Sequence, residues 1–167
     1  MARLVPLALA CMLLAAAGCG GTPRSDAPVV PGEGVVVGTI DGDTLDIDVG
    51  EGRIERVRLL GIDTPETVHP DRPVECGGPE ASSLLTSLLP EGTVVRLERD
   101  TEARDRFGRL LAYLFRDDGL FVNEAIVAAG AGELLSIAPN TAYDDRLAAA
   151  ATTARAAGAG IWGTCAT

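Results

Sequence analysis

Thr44-Leu45-Asp46-Ile47-Asp48-Val49 alternates apolar and polar residues without a break, and Val35-Val36-Val37-Gly38-Thr39-Ile40 before it is rich in β-branched side chains. Period-two alternation of this kind predicts two strands, joined at the turn Asp41-Gly42-Asp43. Ile54 to Ile62, after Gly50-Glu51-Gly52, predicts a third strand, so the first half reads as a three-stranded meander.

Downstream the period changes. Glu80 to Leu89 carries apolar residues at 81, 84, 85, 88 and 89, with Pro79 at its start and Pro90 and Gly92 behind it, which predicts an amphipathic helix. Val94 to Glu98 and Leu110 to Phe115 predict two more strands, and Phe121–Ala129 and Ala142–Ala157 two more helices. The order β-β-β-α-β-β-α-α is an α+β arrangement with the connectivity of a five-stranded oligonucleotide-binding barrel (OB-fold) carrying three helices. A barrel alone does not specify chemistry.

The ends predict export. Residues 1–18 hold Arg3 followed by a short apolar run, which reads as a signal peptide and not as a membrane span of about 20 residues. Ala16-Ala17-Gly18-Cys19 resembles a bacterial lipobox, so Cys19 is the expected lipidation site, at the start of a flexible linker over 19–33. A folded domain is expected over 34–167. The expected location is the outer face of the cytoplasmic membrane as a lipoprotein, with secretion as the alternative; any membrane contact is through the lipid, and the domain is expected to be a monomer. Cys76 and Cys165 remain as an even pair in an exported chain, which predicts a disulfide. They lack the paired spacing of a zinc site, and the one histidine, His69, reads as a loop residue. Trp162 reads as a residue covering a gap in the core.

Charge argues against a simple polyanion binder. The net charge is −10, and one unit more negative once Arg3 leaves with the leader. Nonspecific binders of nucleic acid are usually basic. A site that gathers arginine locally is needed to outweigh the acids.

Such a site is written in Val57-Arg58-Leu59-Leu60-Gly61-Ile62-Asp63-Thr64-Pro65-Glu66. Alternation places Arg58 and Leu60 on one face and Leu59 and Gly61 on the other. Pro65 cannot continue a ladder, so the strand stops where Asp63, the Thr64 carbonyl and Glu66 can converge. Asp43 can join them from its turn. Two carboxylates, a carbonyl and water suit Ca²⁺, with Mg²⁺ as the alternative. Arg58 and Arg109, which closes Asp105-Arg106-Phe107-Gly108-Arg109, bring the planar fork that grips phosphate oxygens. Taken singly, Asp41-Gly42-Asp43 is also an ordinary hairpin turn and Asp63-Thr64-Pro65-Glu66 an ordinary capping box.

The chain is similar to the staphylococcal nuclease (thermonuclease) family. The matching stretches are 40–44, 58–67, 78–81, 105–113, 122–125, Pro139-Asn140 and 160–162, all in order. The resemblance implies a Ca²⁺-dependent phosphodiesterase that hydrolyses single-stranded or locally melted DNA and RNA to 3′-phosphates. It implies Asp43, Asp63 and the Thr64 carbonyl as metal ligands, Asp41 as a supporting acid, Glu66 as general base, and Arg58 and Arg109 on the phosphate. Arg106 and Phe107 are the expected substrate-binding pair. Phe107 stands where the family commonly has Tyr, and residues 134–138 contain no Tyr, so weaker nucleotide binding is expected. The competing expectation is a non-catalytic OB-fold module that only binds nucleic acid or calcium. Loss of Asp43, Asp63 or Glu66 would have marked it, and none is lost.

Overall fold

The computed structural model describes residues 32–68 and 73–165. His69, Cys19, the leader and most of the linker lie outside the described residues.

Five strands close into a barrel in the order β1-β2-β3-β6-β5, with β5 returning to β1: β1 is Glu33–Thr39, β2 Thr44–Asp48, β3 Ile54–Leu59, β5 Val94–Glu98 and β6 Leu110–Arg116. The predicted alternation is visible in β2, where Leu45 and Ile47 are fully buried while Asp46 between them and Asp48 after them are not. Every pairing is antiparallel except β3 with β6, where Arg58 stands opposite Leu111. That parallel pair sets the end of β3, with Arg58, beside the start of β6, which Arg109 precedes.

The predicted third strand is interrupted. It stops at Leu59, turns through Leu60 and Gly61, and resumes as β4 (Ile62–Asp63), which pairs with a second two-residue strand, β7 (Glu133–Leu134). Leu59 and Leu60 are both buried, so the expected alternation of faces fails here. Gly61 makes the turn possible: its φ is +75° and a Cβ there would stand 2.4 Å from Leu147 Cδ1.

Helix α1 (Gly78–Leu88) begins around Pro79 and buries Ala81 and Leu85, which lie i and i+4 on one face; Leu89 follows on the same side. Burying a leucine such as Leu85 contributes about 2 kcal/mol. Helix α2 (Val122–Ala128) packs on β6, and helix α3 (Asp144–Ala156) packs in turn on α2 and β7; Ala112 to Phe115 of β6 are all buried. Tyr113, Phe115, Phe121 and Tyr143 form an aromatic cluster there, with the Tyr113–Tyr143 and Phe115–Phe121 ring centres each 4.7 Å apart.

A fourth, short helix, α4 (Ile161–Thr164), was not predicted; at four residues it has no periodicity to read. Trp162 on it does not fill a core gap. It is half-exposed under the Arg155 guanidinium, 4.1 Å from the ring centre, and lines a surface groove of about 540 Å³ between β7 and α3. Cys76 and Cys165 are joined by a disulfide with Cα atoms 5.8 Å apart. Among the described residues no helix is long and apolar enough to cross a membrane.

Candidate active site

The Asp41-Gly42-Asp43 turn is closed by its own backbone, with the Ile40 and Asp41 amides both donating to the Thr44 carbonyl. Its partner is the end of β3, where the Leu59 amide donates to the Asp43 carbonyl at 2.9 Å. Gly42 lets the turn press against the loop beyond β4: a Cβ there would stand 2.6 Å from Thr64 Oγ1 and 2.7 Å from Ala81 Cβ. The Thr64 amide and hydroxyl both donate to Asp43 Oδ2, at 3.1 and 3.2 Å. Two segments 21 residues apart are thereby locked at one carboxylate.

Arg58 ties the same cluster from β3. Its Nη1 donates to the Leu59 and Ile62 carbonyls, and its Nη2 lies 3.1 Å from Asp43 Oδ2 and 2.9 Å from Asp63 Oδ1. One nitrogen touching both carboxylates means that they are no further apart than the sum of those contacts. The guanidinium also braces the Leu60–Gly61 turn from inside.

Asp41, Asp43, Arg58, Asp63, Glu66 and Arg109 converge on one cleft of about 190 Å³, with Thr64 and Pro65 completing its wall. The acids outnumber the cations there. Burial first, and then the charge of Asp43, push the Asp41 carboxyl above the usual carboxylate range. Asp63 is pushed the same way by partial burial, and by Glu75, Glu133 and Glu66, against the opposing pull of Arg58. Desolvation leads both shifts, and the neighbouring carboxylates add to them.

This donor set fits a divalent cation. Among the described residues no three His, Cys, Asp or Glu side chains form a metal cluster by themselves. The cleft is nonetheless lined by the carboxylates of Asp41, Asp43, Asp63 and Glu66 beside Thr64, hard oxygen donors of the kind calcium and magnesium accept once water completes the set.

Glu66 is folded onto its own loop. Its Oε1 accepts the Thr67 and Val68 amides, each at 2.9 Å, so the other carboxylate oxygen carries the remaining acceptor capacity. Arg109 is held differently from Arg58. Its Nε donates to Asp105 Oδ2 at 2.7 Å, its Nη1 and Nη2 have no hydrogen-bond partner among the described residues, and the residue lines the cleft. Partial burial opposes the charge on Asp105, but the Arg109 guanidinium and the Arg109 and Phe107 amides outweigh it and hold this carboxyl below the usual range.

Arg106 and Phe107 stand beside the cleft in an adjoining groove of about 460 Å³ that shares Arg58 and Arg109 with it. The Phe107 ring is 70% exposed, with the Arg106 guanidinium 4.7 Å and that of Arg109 5.6 Å from its centre. Leu60, Leu111, Leu135 and Ile137 make the groove aliphatic.

Three residues that build this site escaped the sequence reading. Asp105 aims Arg109. Asn123, fully buried on α2, donates to the Leu60 carbonyl at 2.8 Å and accepts the Leu114 amide at 3.0 Å, fixing the turn that ends β3. Glu75 accepts the Glu66 amide at 3.0 Å. Only Asn123 carried a signal, as a polar residue at the start of an apolar helix, where a cap would be expected.

Residues 56–164 match the family model described as staphylococcal nuclease homologue. The chain is 38% identical over 127 residues to a thermonuclease of Staphylococcus hyicus, covering 76% of this chain and 73% of that protein. It is 44% identical over 104 residues to a thermonuclease of Staphylococcus intermedius, covering 62% and 60%. With endonuclease YncB of Bacillus subtilis (strain 168) it shares 38% identity over 109 residues, 64% of this chain and 50% of that protein. The matched region spans between half and three quarters of the length of these three relatives. The closed barrel, its polar cleft and these matches together place the chain in the staphylococcal nuclease family.

Proposed function

We propose that this chain is a calcium-dependent phosphodiesterase that hydrolyses DNA and RNA to 3′-phosphate products, with single-stranded or locally melted strands as substrate. The observation that carries the reading is the convergence of four acids and two arginines on one cleft beside an open apolar groove. The names of the relatives, thermonuclease and endonuclease, support the reaction class.

Asp43, Asp63 and the Thr64 carbonyl would hold the calcium ion, and Asp41 would add to the negative field around it. A bound divalent ion supplies Lewis acidity toward a phosphoryl oxygen and neutralises developing charge. Glu66 takes the proton from the attacking water with the carboxylate oxygen not engaged by Thr67 and Val68. Arg109 places its two terminal nitrogens on the phosphate, where a planar fork matches two equatorial oxygens of the five-coordinate transition state. Arg58 contributes its positive charge from behind the two aspartates, and shifts toward phosphate only by loosening contacts it now makes. The P–O5′ bond breaks, which leaves the phosphate on the 3′ side.

Phe107 offers a ring face to a base, and the aliphatic groove offers contact area without base-edge hydrogen bonding. This supports weak, base-tolerant binding. The sequence pattern of residues 1–33 supports export with an anchor on Cys19, ahead of a nuclease domain over 34–167, acting as a monomer.

The end chemistry tests the reading. Products of a defined oligonucleotide should resist 3′ extension by a polymerase until a phosphatase removes the terminal group. Products carrying 5′-phosphates would contradict the proposed bond cleavage.

A further inference from the structure

The segment after Glu66 returns to it and is fastened to the far end of the chain. Glu75 and Glu66 grip each other twice: Glu75 Oε2 accepts the Glu66 amide at 3.0 Å, and the Glu75 amide donates to the Glu66 carbonyl at 2.9 Å. The next residue, Cys76, is bonded to Cys165, 89 residues away at the end of α4.

α4 is itself firmly seated. The Ile161 amide donates to the Gly130 carbonyl at 2.9 Å, and a Cβ on Gly160 would stand 2.3 Å from that same oxygen, so only glycine permits the approach. The helix also closes on the active-site loop. A Cβ on Gly77 would stand 2.4 Å from Ile161 Cγ2, 3.6 Å from Pro65 Cγ and 3.7 Å from Cys165 Sγ. A Cβ on Gly78 would meet the Pro65 and Glu66 carbonyl oxygens, each at 3.1 Å.

Burial does little to hold this return segment. Pro73, Val74, Glu75 and Cys76 are all exposed, so the position of Glu75 rests on its two bonds to Glu66, on the Gly78 amide that donates to its carbonyl at 3.1 Å, and on the disulfide beside it. Glu66 is anchored upstream through Thr64 on Asp43, and downstream through Glu75. Its carboxylate is held by the Thr67 and Val68 amides, and both anchors fix the backbone from which it projects.

We propose that Glu75 is a positioning residue for Glu66, and that the Cys76–Cys165 disulfide keeps it in place, so that the C-terminal turn takes part in aiming the general base. This rests on the reading of Glu66 as that base.

The test compares the full chain with Glu75→Ala, Glu75→Gln and the double variant Cys76→Ser/Cys165→Ser, each assayed below its own unfolding transition. Glu75→Ala is expected to lower kcat about tenfold with KM moved less than about twofold, since misaiming a base costs turnover more than binding. Glu75→Gln keeps most of the rate, because its amide oxygen accepts the same N–H. The double serine variant loses about as much as Glu75→Ala, and combining the three substitutions adds little further loss. Wild-type kcat in Glu75→Ala, or an equal fall in Glu75→Gln, overturns the proposal; the latter would make charge and not aim the operative property. Hydrogen exchange of the Glu66 amide separates this from the reading beneath it. Faster exchange in Glu75→Ala supports the clasp even if the wild type cuts no nucleic acid, which would sink the nuclease reading alone, and unchanged exchange overturns the clasp.

Discussion

Arg109 and Asp105 are joined at both ends of the arginine: the Asp105 carboxylate takes the Arg109 Nε at 2.7 Å through one oxygen and the Arg109 backbone amide at 2.9 Å through the other. The Phe107 amide shares the second oxygen at 2.9 Å. One carboxylate therefore sets the shape of the loop and the aim of its guanidinium. Asp105→Ala should lower kcat/KM by about a hundredfold, the scale expected when a charged group is misplaced by about 1 Å. Asp105→Asn, which can still accept hydrogen bonds, should lose less. Steady-state cleavage of a single-stranded oligonucleotide checks both, and equal losses in the two variants would argue against an aiming role.

Asn123 bears on stability and catalysis together. Replacing it with alanine strands the buried Leu60 carbonyl and Leu114 amide, at about 1–3 kcal/mol for each unpaired group. Asn123→Ala should therefore lower the urea unfolding midpoint markedly. It should also reduce kcat in protein that remains folded, because the turn carrying the chain from Arg58 to Asp63 loses its support. A stable variant with full activity would contradict this.

Asp41 gives a pH prediction whose sign is fixed. Its carboxyl is held above the usual range by burial and by Asp43, so the folded protein keeps this proton to higher pH than the unfolded chain does. Above the raised value the ionised carboxylate therefore destabilises the fold, and below the ordinary value, about 4, both states are protonated and the effect disappears. In a chelator, Asp41→Asn should unfold at higher urea than wild type at pH 7, with the gain shrinking to nothing on acidification below about pH 4. No gain at neutral pH would show that this acid is not under strain. Added calcium should stabilise the wild type more at pH 7 than at pH 4, since the acids it neutralises must be ionised.

Much of the barrel was legible because Leu45 and Ile47 alternate with polar neighbours and because Ala81 and Leu85 repeat at helical spacing. The interruption at Leu60–Gly61 was not, because two consecutive leucines are both buried at a turn that the positive φ of Gly61 makes possible. β4 and β7 are too short to carry a period, and their pairing spans 70 residues of chain. At the site, residue types and order located the acids and arginines. The roles of the supporting residues were not legible for a physical reason: Asn123 and Glu75 act wholly, and Asp105 in part, through backbone amides and carbonyls that any sequence possesses. Only the fold shows which of those groups lie within reach.

In the proposed mechanism Glu66 removes a proton from water in a cleft whose acids call for a divalent cation. The most direct measurement is cleavage of single-stranded DNA by wild type and Glu66→Gln, each with calcium and with EGTA. Wild type should cut with calcium and stop in EGTA, while Glu66→Gln, folded and still stabilised by calcium, should be slower by about two to four orders of magnitude. Cleavage that persists in EGTA, or a Glu66→Gln rate equal to wild type, would contradict the account.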